Sequence, residues 1–148
     1  MATRADVLFA QTTGLIQFNG GGTQYVVQKA NGDLFLFYVD SGSDVAFKSS
    51  TNNGITWSNP TVVFAGTVTA LSVWYDRWSD IASDMVRVAY TESATDDTLY
   101  RGVDISDTAL PVQGTQTSIF AGVSTATGGN LSITRARGGN LYCHRRRC

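Results

Sequence analysis

The residues best suited to contact a ligand lie side by side at positions 74–78. Trp74, Tyr75, Asp76, Arg77 and Trp78 leave a predicted strand and enter a polar loop. Aromatic rings stack on the C–H faces of sugars while neighbouring charged groups bind hydroxyls, so this arrangement is typical of a carbohydrate contact. The alternative is structural, with Trp74 packed between sheets, Trp78 covering an edge, and Asp76 and Arg77 solvated.

The sequence offers few residues that could be assigned to acid–base catalysis. Glycoside hydrolysis of the common kind needs two carboxylates placed across one bond. The many Asp residues could supply such a pair, but their order in the sequence selects none, and Glu92 is the only Glu. We therefore predict no catalytic residues here.

Two kinds of segment could bind metal ions. The acidic turns at 40–44 and 92–97 could bind Ca²⁺, but neither has a complete calcium-loop motif, so hairpin turns are the simpler interpretation. Cys143, His144 and Cys148 could form a zinc clip, although zinc sites use four ligands at motif spacing. The sequence thus predicts no cofactor, with Ca²⁺ as the alternative.

The segment 143–148 differs in composition from the rest of the chain. It contains every Cys and His and three of the eleven basic residues, while residues 1–142 are acidic on balance. Such a break is typical of a frameshift or a cloning scar, with an exposed tail or a metal clip as alternatives. Three arginines make a weak nucleic-acid patch, so no nucleic-acid partner is expected.

Short segments rich in β-branched and aromatic residues, separated by Gly-, Asn- and Asp-rich turns, predict the strands that must position these residues. With two Lys and one Glu against 18 Thr and 15 Gly, helix formers are scarce, and no window has the period of a capped helix. We therefore predict a single all-β domain over 1–142. The predicted strands are 24–29, 34–39, 44–49, 61–64, 71–75, 85–91, 98–104, 117–120, 131–136 and 141–142.

The strands fall into repeated antiparallel sets of four. Segment 37–39 aligns with 89–91, segment 64–66 (Phe-Ala-Gly) aligns with 120–122 (Phe-Ala-Gly), and Leu71-Ser72 aligns with Leu131-Ser132. These offsets drift from the low fifties to sixty, which fits a structural repeat with loops of variable length. The predicted units are approximately 15–66, 67–122 and an incomplete 123–142.

The loop at 50–57 reads Ser-Thr-Asn-Asn-Gly-Ile-Thr-Trp. It resembles the Asp-box, or BNR repeat, of sialidase-type β-propellers, which reads Ser-x-Asp-x-Gly-x-Thr-Trp. Ser50, Gly54, Thr56 and Trp57 match, and Asn52 stands where the family has Asp. We expect the polar side chains to bond backbone groups of a tight turn, Gly54 to adopt a positive φ, and Trp57 to be a buried anchor.

The resemblance implies a partial sialidase-like β-propeller of about two and a half four-stranded blades, with a β-sandwich as the alternative fold. It also implies a non-catalytic structural or carbohydrate-binding module, and the composition favours an extracellular or virion-associated protein. The alternative is a truncated fragment of a sialidase-type glycoside hydrolase (an exo-α-sialidase) without its catalytic residues, since no arginine is followed by the family's Ile-Pro. Expected partners are a glycan, further blades or a second copy of the chain, and neither a signal peptide nor a membrane segment is recognisable.

Overall fold

The computed structural model describes residues 24–75, 84–122, 131–136 and 139–145, and these ranges form three antiparallel β-sheets. They contain no helix, so the all-β prediction is confirmed for them. A search of the same ranges found no helix of the length and apolarity that a membrane crossing requires.

Sheet A is a meander of four strands in the order β1-β2-β3-β4. The strands are β1 (Gln24–Gln28), β2 (Leu34–Val39), β3 (Val45–Ser50) and β4 (Thr61–Phe64). Two of the four predicted spans match these bounds, the first strand ends one residue earlier than predicted, and the third is shifted by one residue at both ends. Every residue of β2 from Phe35 to Val39 is buried, so this strand is covered on both of its faces.

Sheet B has a divided outer strand. Its strands are β5 (Val68–Tyr75), β6 (Met85–Glu92), β7 (Asp97–Asp104), β8 (Val112–Gln113) and β9 (Thr117–Phe120). β8 pairs with the end of β7 and β9 pairs with its beginning, so both occupy the same edge. The sequence missed β8 because two residues following Pro111 carry no periodic pattern.

Sheet C is a hairpin of β10 (Leu131–Arg135) and β11 (Leu141–Arg145). The predicted second strand ended at residue 142, but the observed strand continues for three residues and pairs Cys143 with Ile133. The break in composition at 143 therefore does not end the strand, because backbone pairing tolerates any of these residue types.

The three sheets stack in the order A, B, C. Leu71 and Val73 of β5 lie with Val86, Val88 and Tyr90 of β6 in the apolar core between sheets A and B. Ser72 points to the opposite face, where its Oγ accepts a hydrogen bond of 3.1 Å from the Ile133 backbone N–H of β10. The apolar core residues that sheet A contributes are Val27, Phe35, Phe37, Val39, Val45, Phe47 and Val63.

The first strands of the three sheets are neighbours. The Tyr25 hydroxyl of β1 donates to the Leu71 carbonyl of β5 at 3.0 Å, and β5 also contacts β10 on its other side. The fold thus brings β1, β5 and β10 together although long segments of chain separate them.

The first hairpin of sheet A recurs in sheet C. In the first turn the Lys29 N–H donates to the Asp33 carbonyl at 2.9 Å, and Gly32 has a φ of 95°. In the second turn the Ala136 N–H donates to the Asn140 carbonyl at 3.0 Å, and Gly139 has a φ of 89°. A left-handed conformation of this kind favours glycine. Each hairpin has five cross-strand residue pairs, and the pairing register relative to the turn is the same in both.

A second local contact occurs once in sheet A and again, in equivalent form, in sheet B. Asp44 precedes β3 and its Oδ1 accepts a hydrogen bond from the Gly66 N–H at 2.9 Å. Asp97 begins β7 and its Oδ1 accepts one from the Gly122 N–H at 2.8 Å. Both glycines end the Phe-Ala-Gly segments that align in the sequence, so the aligned segments make the same contact.

Candidate functional site

The loop at 50–57 connects β3 to β4 and is held by its own side chains. Ser50 Oγ accepts a hydrogen bond from the Gly54 N–H at 2.9 Å and donates to Asn52 Oδ1 at 3.0 Å. Asn52 Oδ1 accepts from the Thr56 N–H at 2.9 Å, while Asn52 Nδ2 donates to Thr56 Oγ1 at 2.8 Å. Gly54 has a φ of 79°, as the sequence predicts.

Trp57 anchors this loop on the outer face of sheet A. Its side chain packs against Leu36, Tyr38 and Ala46, which are buried on the face opposite the main core. The ring itself is half-buried rather than buried, which corrects the expectation drawn from the sequence. Trp57 therefore covers apolar surface and also remains in contact with solvent.

The acidic turns use their carboxylates to hold backbone. Asp40 Oδ1 accepts hydrogen bonds from the N–H groups of Gly42 at 2.8 Å and Asp44 at 3.0 Å. Glu92 is buried, and its carboxylate accepts from the Ala94 N–H at 3.0 Å and from the Thr95 N–H and hydroxyl, both at 2.8 Å. These carboxylate oxygens accept hydrogen bonds within their own turns, which fits the hairpin interpretation that the sequence favours over Ca²⁺ binding.

Burial and hydrogen bonding act on Glu92 in opposite directions. Burial on its own would raise the pKa of this carboxyl, but the hydrogen bonds from Thr95 and from backbone N–H groups favour the charged form, and the pKa lies below its ordinary value of 4.5. A general acid at neutral pH needs a raised pKa, so Glu92 is unsuited to that role.

Trp74 and Tyr75 point to opposite faces of sheet B because they are adjacent on one strand. Tyr75 packs against the core between sheets A and B, and its hydroxyl donates to Asp84 Oδ1 at 2.7 Å. Trp74 lies on the face toward sheet C. Asp76, Arg77 and Trp78 of the predicted carbohydrate contact lie outside the described residues.

Trp74 lies beside a cationic residue that the sequence did not identify as a candidate. It pairs across the ladder with Arg87 of β6, whose Nη1 donates to the Tyr100 hydroxyl of β7 at 2.7 Å. Gly102 pairs with Arg87, and a Cβ there would come within 3.1 Å of Met85 Sδ and 3.3 Å of the Tyr100 hydroxyl oxygen. We call Trp74, Arg87, Tyr100 and Gly102 the Arg87 cluster.

Two N–H groups of the Arg87 cluster are unsatisfied. Trp74 Nε1 and Arg87 Nε are both out of contact with solvent, and neither has an acceptor among the described residues. The cluster thus presents two hydrogen-bond donors and one cationic group on a single sheet face. Half-buried charges of this kind are unusual without a partner.

Lys29 joins sheets A and B at the other side of the molecule. It is buried, and its Nζ donates to the Ser106 carbonyl at 2.8 Å and to Thr108 Oγ1 at 3.2 Å, with Asp84 Oδ2 at 3.5 Å. The Thr108 hydroxyl donates to Asp33 Oδ2, which lowers the pKa of that carboxyl. The segment between β7 and β8 is therefore fastened to the first turn of sheet A.

Arg101 makes a further polar contact between the same sheets. Its Nη1 donates to the Val63 carbonyl of β4 and to Gln113 Oε1 at 2.9 Å. Tyr90 donates from its hydroxyl to Gln116 Oε1 at 2.9 Å, and burial raises the pKa of Tyr90 to about 12. The bond to the Val63 carbonyl occupies one acceptor of the edge strand β4 that would otherwise be open to another chain.

Of the three residues of the alternative zinc clip, the two that the structure describes point away from each other. Cys143 and His144 are adjacent on β11 and point to opposite faces, and Cys148 lies outside the described residues. Burial raises the pKa of the Cys143 thiol, which disfavours the thiolate that binds metals. The described ranges hold no group of three or more His, Cys, Asp or Glu that could bind a metal ion.

The comparisons with known proteins leave the family open. No family model matches the chain, and neither a curated protein nor a solved structure matches it.

Sequence reasoning found Trp74 but missed Arg87, Tyr100 and Lys29. Arg87 and Tyr100 are far from Trp74 in sequence and become its neighbours only through the pairing of β5, β6 and β7. A weak signal was present, because Arg87 is the one charged residue within the run 85–90, and a charge at such a position needs an explanation.

Proposed function

We propose that this chain is a non-catalytic structural module formed by consecutive blades of a sialidase-like β-propeller. The observation that carries the proposal is the order of the sheets: A and C lie on opposite faces of B, and β5 contacts both β1 and β10. Propellers repeat four-stranded sheets radially around a central channel, an arrangement that puts the first strands of neighbouring blades side by side.

The loop at 50–57 adds independent support. It connects the third and fourth strands of sheet A, and Ser50, Asn52 and Gly54 close it through the hydrogen bonds and positive φ that its residue types predict. An Asp-box is a turn of this kind, so the sequence resemblance and the local geometry agree.

The test is the association state of the purified chain. The described residues supply three sheets, whereas a closed propeller has about four to eight blades. The outer face of sheet A carries Val26 and Val62 in exposed positions on its two edge strands. We expect size exclusion with light scattering to find self-association that increases with concentration.

Matched variants locate the contact. Val26→Lys with Val62→Lys should weaken self-association, because charges repel apolar partners from that face. Leu110→Lys is the control, since Leu110 is exposed on the loop between β7 and β8 and is not part of sheet A. A concentration-independent monomer with a cooperative melt would contradict the open propeller and favour a self-contained β-sandwich.

Carbohydrate binding is the second candidate, favoured by the half-buried Trp74 ring beside Arg87 on one sheet face. Binding on a glycan array without hydrolysis would support it. Neither the module nor a hydrolase fragment without its catalytic residues should turn over a fluorogenic sialoside, and Glu92, the only Glu, is held in its turn.

A further inference from the structure

The Arg87 cluster replaces an apolar contact that the same fold makes in sheet A. Aligning segment 37–39 with 89–91 puts Arg87 at the position of Phe35, and the strand pairing puts Tyr100 at the position of Phe47. Phe35 and Phe47 are buried, with ring centroids 6.0 Å apart. Packing alone is thus satisfied by two phenylalanines at these positions, so an arginine and a tyrosine serve another purpose.

The guanidinium of Arg87 is held in one orientation. Its Nη1 donates to the Tyr100 hydroxyl at 2.7 Å, and within the described residues this is its only hydrogen bond. The Nε–Nη2 edge remains, and this edge presents two parallel N–H groups that match the two oxygens of an oxyanion. Trp74 Nε1 on the neighbouring strand is the second unsatisfied N–H, beside Arg87 Nε.

All of these groups are donors, so they select an acceptor. Leaving a buried N–H without an acceptor costs about 1–3 kcal/mol, and the cost is larger for a charged group. Arg87 has no ion pair among the described residues, in which a salt bridge joins Lys29 to Asp84. Trp74, Arg87 and Tyr100 are each half-buried, but the two unsatisfied N–H groups are out of contact with solvent, so an anion reaches them only when a covering side chain shifts.

We propose that the Arg87 cluster is an oxyanion-binding site on the face of sheet B toward sheet C. The ligand group is a carboxylate or a phosphate, held side-on by Arg87 and by the Trp74 indole N–H. Tyr100 acts as a positioning residue, because its hydroxyl fixes the opposite side of the guanidinium. The proposal goes beyond the structural module proposed above and does not depend on blade closure.

Titration of the ¹⁵N-labelled full chain tests the site, with acetate and inorganic phosphate as probes and chloride holding the ionic strength constant. The Trp74 indole and Arg87 Nε–H signals, identified through Trp74→Phe and Arg87→Met, should shift saturably with at least one anion. Tighter binding of acetate would identify the ligand group as a carboxylate, and tighter binding of phosphate would identify it as a phosphate.

Variants separate this site from general charge effects. Arg87→Met should weaken the response of the Trp74 signal about tenfold or more, as expected when a charged hydrogen-bond partner is lost. Tyr100→Phe should weaken it less and should fold, since sheet A has Phe47 at the equivalent position. Lys48→Met, which removes a cation on the far side of sheet A, should leave the response unchanged.

Thermal melting provides a second measurement for any variant with poor spectra. The bound anion should raise the Tm of the parent relative to chloride, because a ligand that binds the native state stabilises it. Arg87→Met should lose this increase. The absence of a saturable shift with both anions, or an equal response in Arg87→Met, would overturn the proposal.

Discussion

At the scale of single residues, Glu92 shows how this chain uses its few charged groups. A buried carboxylate is costly unless donors surround it, and Glu92 receives three hydrogen bonds from Ala94 and Thr95. The residue that could have been a catalytic acid is instead part of a turn. The carboxylate of Glu92 therefore contributes to the stability of the fold.

Glu92→Gln should lower the free energy of unfolding by about 1–3 kcal/mol at pH 7, because an amide group would face the backbone donors of the turn. The native pKa of Glu92 lies below 4.5, so its contribution is complete above 4.5 and is lost as pH falls through the native value. Urea melts at pH 7 and pH 3 should show the difference between parent and variant shrinking in acid. A difference independent of pH would contradict this, and Asp107→Asn in an exposed turn is the control.

At the scale of elements, the loop at 50–57 couples a turn to the outer face of its sheet. Ser50 and Asn52 fix the backbone, and this places Trp57 over Leu36 and Tyr38. The hydrogen bonds within the loop thereby help to keep the outer face of the central strand β2 buried.

Trp57→Ala should destabilise the chain by about 2 kcal/mol, less than the roughly 3–5 kcal/mol typical of a fully buried aromatic ring, because this ring is half-buried. Asn52→Asp should be neutral or mildly stabilising, since a carboxylate strengthens the acceptor for the Thr56 N–H. Urea denaturation measures both changes. A loss below about 0.5 kcal/mol for Trp57→Ala, the value of an ordinary surface site, would show that the loop is not anchored by its ring.

At the scale of the whole molecule, the contact between sheets A and B combines an apolar core with polar contacts at its margins. Lys29 and Thr108 fasten the first turn of sheet A to the segment after β7, while Arg101 reaches the edge strand β4. Polar contacts of this kind fix the relative position of two sheets, which apolar packing alone specifies less well.

Lys29→Met should lower stability by about 1–3 kcal/mol, because the Ser106 carbonyl and Thr108 lose a charged donor. Its effect should be smaller in a Thr108→Val background, since neighbouring partners of one network are not additive. A double-mutant cycle followed by tryptophan fluorescence measures the coupling. Full additivity would mean that the two residues stabilise the chain independently.

The sequence by itself determined most of the strands and the turns between them. Bounds such as Leu34–Val39 and Thr61–Phe64 agree with prediction because residue type, alternation and neighbouring turn signals are local properties. The positive φ of Gly54 and the side-chain bonds of Ser50 and Asn52 were predictable for the same reason. The opposite directions of Trp74 and Tyr75 follow from strand geometry alone.

Only the tertiary structure decided which faces meet. The burial of Lys29, the pairing of Trp74 with Arg87 and the existence of β8 all depend on contacts between segments far apart in the chain. Such contacts are set by register and by the stacking of sheets, and a side chain alone does not specify its partner. For this reason the candidate ligand site moved from the continuous run at 74–78 to a cluster assembled across three strands.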